Sequence, residues 1–298
     1  MLEALSTEPA FFVGSCLLLG LIVGSFLNVV IHRVPIMLDR QWRDECAAIT
    51  GSGTGGGAPA PRFNLLVPRS ECPSCRAPIT ALQNIPLVSY LALRGRCAAC
   101  GVRISARYPL IEALTGLASA AVAWKFGFGW PALGALVLTW FLIALACIDL
   151  DRQLLPDNLT LPLLWLGLAA SLAAPLAGHP AVPVDTRSSI IGALAGYLSL
   201  WSVYHVFRLV TGKEGMGYGD FKLLAALGAW LGWQLLLPII LTSALVGAVV
   251  GISVLALLGR DRSTPIPFGP FLAAAGWLVL MYGHELVERY LGLFGPHP

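Results

Sequence analysis

A chain of 298 residues that is 57% hydrophobic and 12% charged, with a mean hydropathy of +0.76, has too little polar surface to cover a soluble globule. It belongs in lipid. The 19 basic residues against 16 acidic ones leave +3, which says little about partners until the charges are placed, and no nucleic-acid partner is expected.

The first apolar run, about Pro9 to Ile31, is long enough to cross about 30 Å of hydrocarbon as a helix. Glu3 and Glu8 precede it, His32 and Arg33 follow it and no small-residue cleavage site comes after, so it reads as a retained anchor with its N-terminus outside rather than a cleaved signal. From Val34 to Arg107 the composition turns polar, Pro-rich and Arg-rich, as in a small water-facing domain. The glycine run at 50–57 lacks a following Gly-Lys-Ser/Thr, so it reads as a flexible linker and not a phosphate loop.

Apolar segments then recur near 109–126, 130–148, 159–177, 188–208, 221–233, 235–258 and 268–290. With the first run they predict an all-α polytopic membrane protein of about eight transmembrane helices. The weakest boundary is Trp230-Leu-Gly-Trp233, room for only a tight turn. The expected organisation is a first transmembrane helix over 1–33, a cytoplasmic zinc-binding domain over 34–107 and a transmembrane domain over 108–298.

An outside N-terminus puts all but Lys125, Arg187 and Arg289 of the 19 Lys and Arg on one side. That asymmetry predicts the cytoplasmic side and agrees with an even number of spans.

Four of the seven cysteines fall as Cys72-Pro-Ser-Cys75 and Cys97-Ala-Ala-Cys100. Two C-x-x-C units about twenty residues apart match the ligand count and spacing of a closed tetrahedral zinc site, which is structural because no position is left open. Cys16, Cys46 and Cys147 are expected to have no chemical role.

Carboxylates at the edge of apolar helices are costly unless paired, neutralised or wet, and so mark function. One cluster runs Ile148-Asp149-Leu-Asp151-Arg-Gln-Leu-Leu-Pro156-Asp157, the other Gly215-Met-Gly217-Tyr-Gly219-Asp220-Phe-Lys222. The predicted topology carries both to one membrane face. Two carboxyls in close proximity share a proton, so that one activates water while the other polarises a carbonyl, which is the chemistry of an aspartyl protease. Asp149 and Asp220 are the expected pair. For Asp151 and Asp157, surface pairing with Arg152, Lys213 or Lys222 is an equal reading.

These residues, in this order, resemble the type IV prepilin peptidase family of bacteria over nearly the whole chain. The likeness is carried by Gly24-Ser-Phe-Leu-Asn-Val-Val-Ile-His-Arg33, the two C-x-x-C units, Asn84-Ile-Pro-Leu-Val-Ser-Tyr90, Arg107-Tyr-Pro-Leu-Ile-Glu112, Asp149 to Asp157, G-x-G-D at 217–220 and Pro265-Ile-Pro-Phe-Gly-Pro270. The resemblance implies catalytic roles for Asp149 and Asp220, with Asp151 or Asp157 as runners-up for the first. It also implies removal of a basic leader from type IV prepilins and pseudopilins after a glycine at the inner membrane, then N-methylation of the new N-terminus from S-adenosylmethionine. Only the resemblance points to that second activity, and no residue is assigned to the methyl donor. The glycine-rich linker and the stretch at 178–187 look longer than the family leads one to expect.

Other chemistries fit less well. His284-Glu-Leu-Val-Glu288 lacks the second histidine of a zinc protease, and no G-x-S-x-G accompanies a usable Ser–His pair. The alternatives in other classes are an ion-coupled transporter and a non-catalytic assembly scaffold. The acids gather at one face rather than at mid-membrane, and no inverted repeat is evident.

Overall fold

The computed structural model describes residues 7–51, 62–177, 184–213, 215–258 and 267–294. Most of the glycine-rich linker, the stretch 178–183, the loop 259–266, His179 and His297 lie outside the described residues, as do the side chains of His284 and Arg289. Apart from two single β-bridges, the described residues hold helices and turns only, as the composition predicts. The chain divides into two compact units, Ala10–Ala121 and Val122–Pro298 with Met1–Pro9.

The first unit starts with α1, Pro9–Ile49. Hydropathy puts the end of the first helix near residue 33, but the helix runs on for sixteen more residues. The reason is local: only Pro35 interrupts the backbone hydrogen bonds, and residues 36–49 are rich in good helix formers. Gln41 donates to Glu45 one turn on, at 2.8 Å. At 41 residues α1 is about 60 Å long, twice the hydrocarbon thickness, so its polar half lies beyond the apolar one. A short helix, α2 (Val88–Ala92), lies between the two C-x-x-C units, and α3 (Arg107–Phe126) follows the second.

The second unit comprises α4 (Trp130–Arg152), α5 (Asp157–Ala177), α6 (Thr186–Thr211), α7 (Tyr218–Leu231), α8 (Leu236–Leu258) and α9 (Gly269–Phe294). Among the described residues, four helical stretches are long and apolar enough to cross a membrane: Pro9–Ile49, Trp130–Arg152, Thr186–Thr211 and Trp233–Ser253. Asp157–Ala173 and Gly269–Gly283 are apolar but shorter.

The core is organised around α7, which packs on α5, α6, α8 and α9. Its residues from Leu223 to Leu231 are all buried, the signature of a helix enclosed on every side. Helices α6 and α7 cross so closely that a Cβ on Gly192 would fall 2.2 Å from the Gly228 carbonyl oxygen, so only glycine fits at that crossing. At fourteen residues α7 is about 21 Å long. It ends at Gly232, whose φ of +84° is open to glycine, and a 3₁₀ turn over Trp233–Leu235 leads into α8. The weak boundary in the sequence is thus a real break, made by one residue.

Candidate active site and cysteine centre

Asp149 sits in the last turn of α4, which Gln153 closes in the left-handed conformation by donating its N–H to the Asp149 carbonyl. The chain then folds back so that Leu155 lies against two other elements. A Cβ on Gly219 would come within 2.6 Å of the Leu155 Cβ, and one on Gly269 within 3.2 Å of its Cδ1. Gly219 of α7 and Gly269 of α9 therefore meet at Leu155, and Gly269 also lies against the Asp149 carboxyl.

Both carboxyls are withdrawn from solvent, with Asp149 only 5% and Asp220 only 7% exposed. They are near enough for the charge of one to act on the other. The Gly269 N–H donates to Asp149 Oδ2 at 3.0 Å, from the first residue of α9. Asp220 lies in the first turn of α7, its own N–H donating to the Gly217 carbonyl at 3.2 Å. Each carboxyl thus sits at a helix N-terminus, where unpaired N–H groups and the helix dipole favour negative charge. Asp220 Oδ1 is buried with no hydrogen-bond partner among the described residues. Buried polar atoms in native proteins are paired almost without exception, so an open acceptor at this spot is a place for an incoming donor.

Aromatic packing holds the Gly-rich approach to Asp220 in place. Tyr218 and Phe221 flank the aspartate and pack with Tyr204 of α6 at ring-centroid distances of 5.4 and 5.6 Å, and Tyr197 meets Phe221 edge-on at 5.9 Å. Of the three glycines of 215–219, Gly219 packs on Leu155 and Gly217 lies beside the Asp220 carboxyl, whereas Gly215 packs on Phe207.

The other acidic residues of the first cluster do different things. Asp151 is exposed, and two residues on from Asp149 it is rotated about 200° around the helix. Asp157, first residue of α5, accepts both oxygens' worth of bonding from Lys222 Nζ, at 2.6 and 2.7 Å. That pair ties α5 to α7 at their N-terminal ends. Being partly exposed, it contributes less than about 1 kcal/mol. Asp157→Asn is therefore expected to leave any activity of the aspartate pair within a few-fold of the parent and to change thermal stability only slightly. Loss of that activity in the variant would return Asp157 to the list of catalytic candidates.

Sequence reasoning gave no role to the Gly269 N–H. Its motif, Pro265 to Pro270, was recognised only by resemblance, because a backbone donor leaves no mark in side-chain chemistry. The only local hint is a glycine next to proline at the start of an apolar helix.

In the first unit the two C-x-x-C segments fold alike. Cys72 N donates to Ala77 O, Arg76 N to Cys72 O and Ile79 N to Ser70 O. Twenty-five residues on, Cys97 N donates to Val102 O, Gly101 N to Cys97 O and Ile104 N to Gly95 O. Single bridges, Glu71 with Pro78 and Arg96 with Arg103, close the two knuckles. Arg76 and Gly101 occupy the same left-handed position, φ +56° and +72°.

The four Sγ atoms lie within 4.8 Å of one another, with Cys72–Cys100 at 3.8 Å and Cys75–Cys97 at 4.0 Å. A tetrahedron of thiolates about 2.3 Å from zinc has edges of about 3.8 Å, so the residues fit that metal. The N–H groups of Cys100 and Ala99 draw the Cys97 thiol down to about 6, whereas the surrounding thiols push Cys75 up to about 11.

Residues 18–126 match the family model of the bacterial peptidase A24 N-terminal domain, and residues 136–252 that of the type IV leader peptidase family. A prepilin leader peptidase/N-methyltransferase of Aeromonas salmonicida is 55% identical to the chain over 98% of both. That of Pseudomonas aeruginosa is 51% identical over 99% of both, and that of Xanthomonas campestris 50% identical over 93% of both. No solved structure gives a significant match. Two adjoining family models and relatives that align from end to end leave one conclusion: this chain belongs to the type IV leader peptidase family.

Proposed function

We propose that this protein removes the leader of type IV prepilins and pseudopilins and then N-methylates the new N-terminus, with Asp149 and Asp220 as the catalytic acid–base pair. The observation that carries the peptidase reading is the buried carboxyl pair itself, with Asp149 fixed by the Gly269 N–H and Asp220 Oδ1 open. The ionised member takes a proton from water, and the resulting hydroxide adds to the scissile carbonyl carbon. The protonated member gives its proton to the carbonyl oxygen, forming a neutral tetrahedral diol. Collapse of that diol breaks the C–N bond; one hydroxyl proton returns to a carboxylate and the leaving amine is protonated by the other acid. The desolvated pocket strengthens both proton transfers.

The proposed setting is the bacterial inner membrane, crossed by about eight helices, with the N-terminus periplasmic and the cysteine segment cytoplasmic. The distribution of Lys and Arg supports that orientation. The domain boundaries proposed are 1–33, 34–107 and 108–298. The substrate has matching polarity, a basic leader held at the cytoplasmic side and an apolar helix in lipid. S-Adenosylmethionine would supply the methyl group, and none of the residues described above is assigned to it.

Incubating the reconstituted protein with a purified prepilin tests both activities by intact-mass spectrometry. The expected result is a product lacking the leader, which gains the mass of one methyl group only when the donor is added. An unprocessed prepilin would overturn the peptidase reading; a processed but never methylated product would overturn the second activity alone.

Cys72, Cys75, Cys97 and Cys100 are proposed to hold a structural zinc ion. With four thiolates the shell is closed, so the metal supplies folding energy and not a reacting water. Changing any one of the four to Ser is expected to lower zinc content in the purified protein and destabilise the segment 62–107, as read by metal analysis and limited proteolysis. Full zinc retention in all four variants would exclude this ligand set.

A further inference from the structure

Exposed apolar residues of the first unit also lie away from its long helices, between the two cysteine knuckles. Leu82, Val88 and Leu91 are 78%, 61% and 73% exposed, and Ile85 is 42% exposed. Val88 and Leu91 are three apart on α2 and so share a face. The residues between them turn inward: Ser89 Oγ donates to the Gln83 carbonyl at 2.6 Å, and the Tyr90 ring packs on Gly95. Single exposed apolar residues need no explanation, but four within ten residues do.

The charge around them has one sign. No Asp or Glu occurs between Glu71 and Glu112, whereas Arg76, Arg94, Arg96, Arg103 and Arg107 all do. Arg96 and Arg103 face each other across an antiparallel bridge, an arrangement in which like charges repel unless an anion lies between or beside them.

Contacts within this unit set the level of the patch. Gly24 of α1 packs against Glu112 and Thr115 of α3, and Asn28 Nδ2 donates to the Tyr108 carbonyl at 3.1 Å. Glu112 Oε2 in turn accepts from the Leu87 N–H at 2.9 Å, with Leu87 in a left-handed turn immediately before α2. Gly24 lies inside the apolar run of α1, about 10 Å before its end at Ile31. Leu87 is therefore held within one side chain's length of a level that belongs to the bilayer. From the other side, buried Arg33 grips the Asn64 and Pro68 carbonyls at 2.9 and 2.6 Å, so the segment leaving the linker is pinned to α1 as well.

We propose that Leu82–Ala92 is an interfacial element seated in the headgroup layer of the protein's own membrane, with Leu82, Ile85, Val88 and Leu91 entering the acyl boundary and Arg94, Arg96 and Arg103 binding anionic lipid phosphates. Basic and apolar side chains side by side are the chemistry that recognises such a surface. The element holds the cysteine knuckles down on the bilayer, and it does so whatever the aspartates catalyse.

The test uses the full-length protein in nanodiscs, with photoreactive benzoylphenylalanine placed singly at Leu82, Val88 or Leu91, and at Ala98 on the exposed knuckle loop as reference. Zinc content of each variant reports folding. In discs containing phosphatidylglycerol, mass spectrometry is expected to find lipid adducts at the first three positions, several-fold above Ala98. The combined Arg96→Gln and Arg103→Gln exchange, high salt, or pure phosphatidylcholine discs should each lower that yield several-fold. Adducts no more frequent than at Ala98, cross-links to polypeptide in place of lipid, or yields indifferent to arginine removal and lipid charge would overturn the proposal. Because the three positions are substituted separately, failure of one to fold leaves the other two to decide.

Discussion

Asp149→Asn and Asp220→Asn are each expected to lower the rate of prepilin cleavage by at least about 10²–10⁴-fold, the range over which positioned acids and bases contribute. The amide keeps the shape of the carboxyl but can neither take the proton from water nor exchange one with the diol. Because the two groups act as a unit, the double variant should be hardly worse than either single one. Zinc content and resistance to proteolysis should match the parent, because the exchange is isosteric and the cysteines lie in the other unit. Cleavage within a few-fold of the parent in either variant would remove that residue from the mechanism. The measurement is the initial rate of leader release at equal amounts of protein in the same lipid.

Gly269→Ala is the second variant with a large expected effect. A Cβ at that position would lie 2.6 Å from Asp149 Oδ2 and 3.1 Å from its Cγ, closer than real Cβ contacts come. Either the carboxyl turns away or α9 shifts. In both cases the N–H bond that orients Asp149 is lost, and a misplacement of about 1 Å can cost about 10²-fold in rate. The loss should fall on kcat and leave KM nearly unchanged, since the Gly269 N–H is already engaged by the Asp149 carboxyl. Pro270→Ala keeps the Gly269 N–H and should be far milder. A Gly269→Ala enzyme with the parental kcat would show that Asp149 needs no help from α9.

What was legible in the sequence is what chemistry writes into side chains. Two C-x-x-C units announce a thiolate site because ligand spacing is local, and the four sulfurs do gather at the spacing zinc requires. Acidic residues in apolar runs stand out because their burial is costly, and the fold brings Asp149 and Asp220 into one buried site. Hydropathy does not distinguish a solvated helix from a solvated loop, so the continuation of α1 beyond residue 33 is legible only in the helix propensity of 36–49. The Gly269 donor and the Glu112–Leu87 contact were invisible for a deeper reason. Each uses a backbone N–H, and its partner lies 120 and 25 residues away, respectively.

The dependence of Asp149 on Gly269 also bears on the order in which the molecule becomes competent during synthesis. Both aspartates leave the ribosome well before α9, yet the donor that aims one of them arrives only with α9. A chain that already possesses both acids but not yet α9 thus lacks the N–H that orients Asp149.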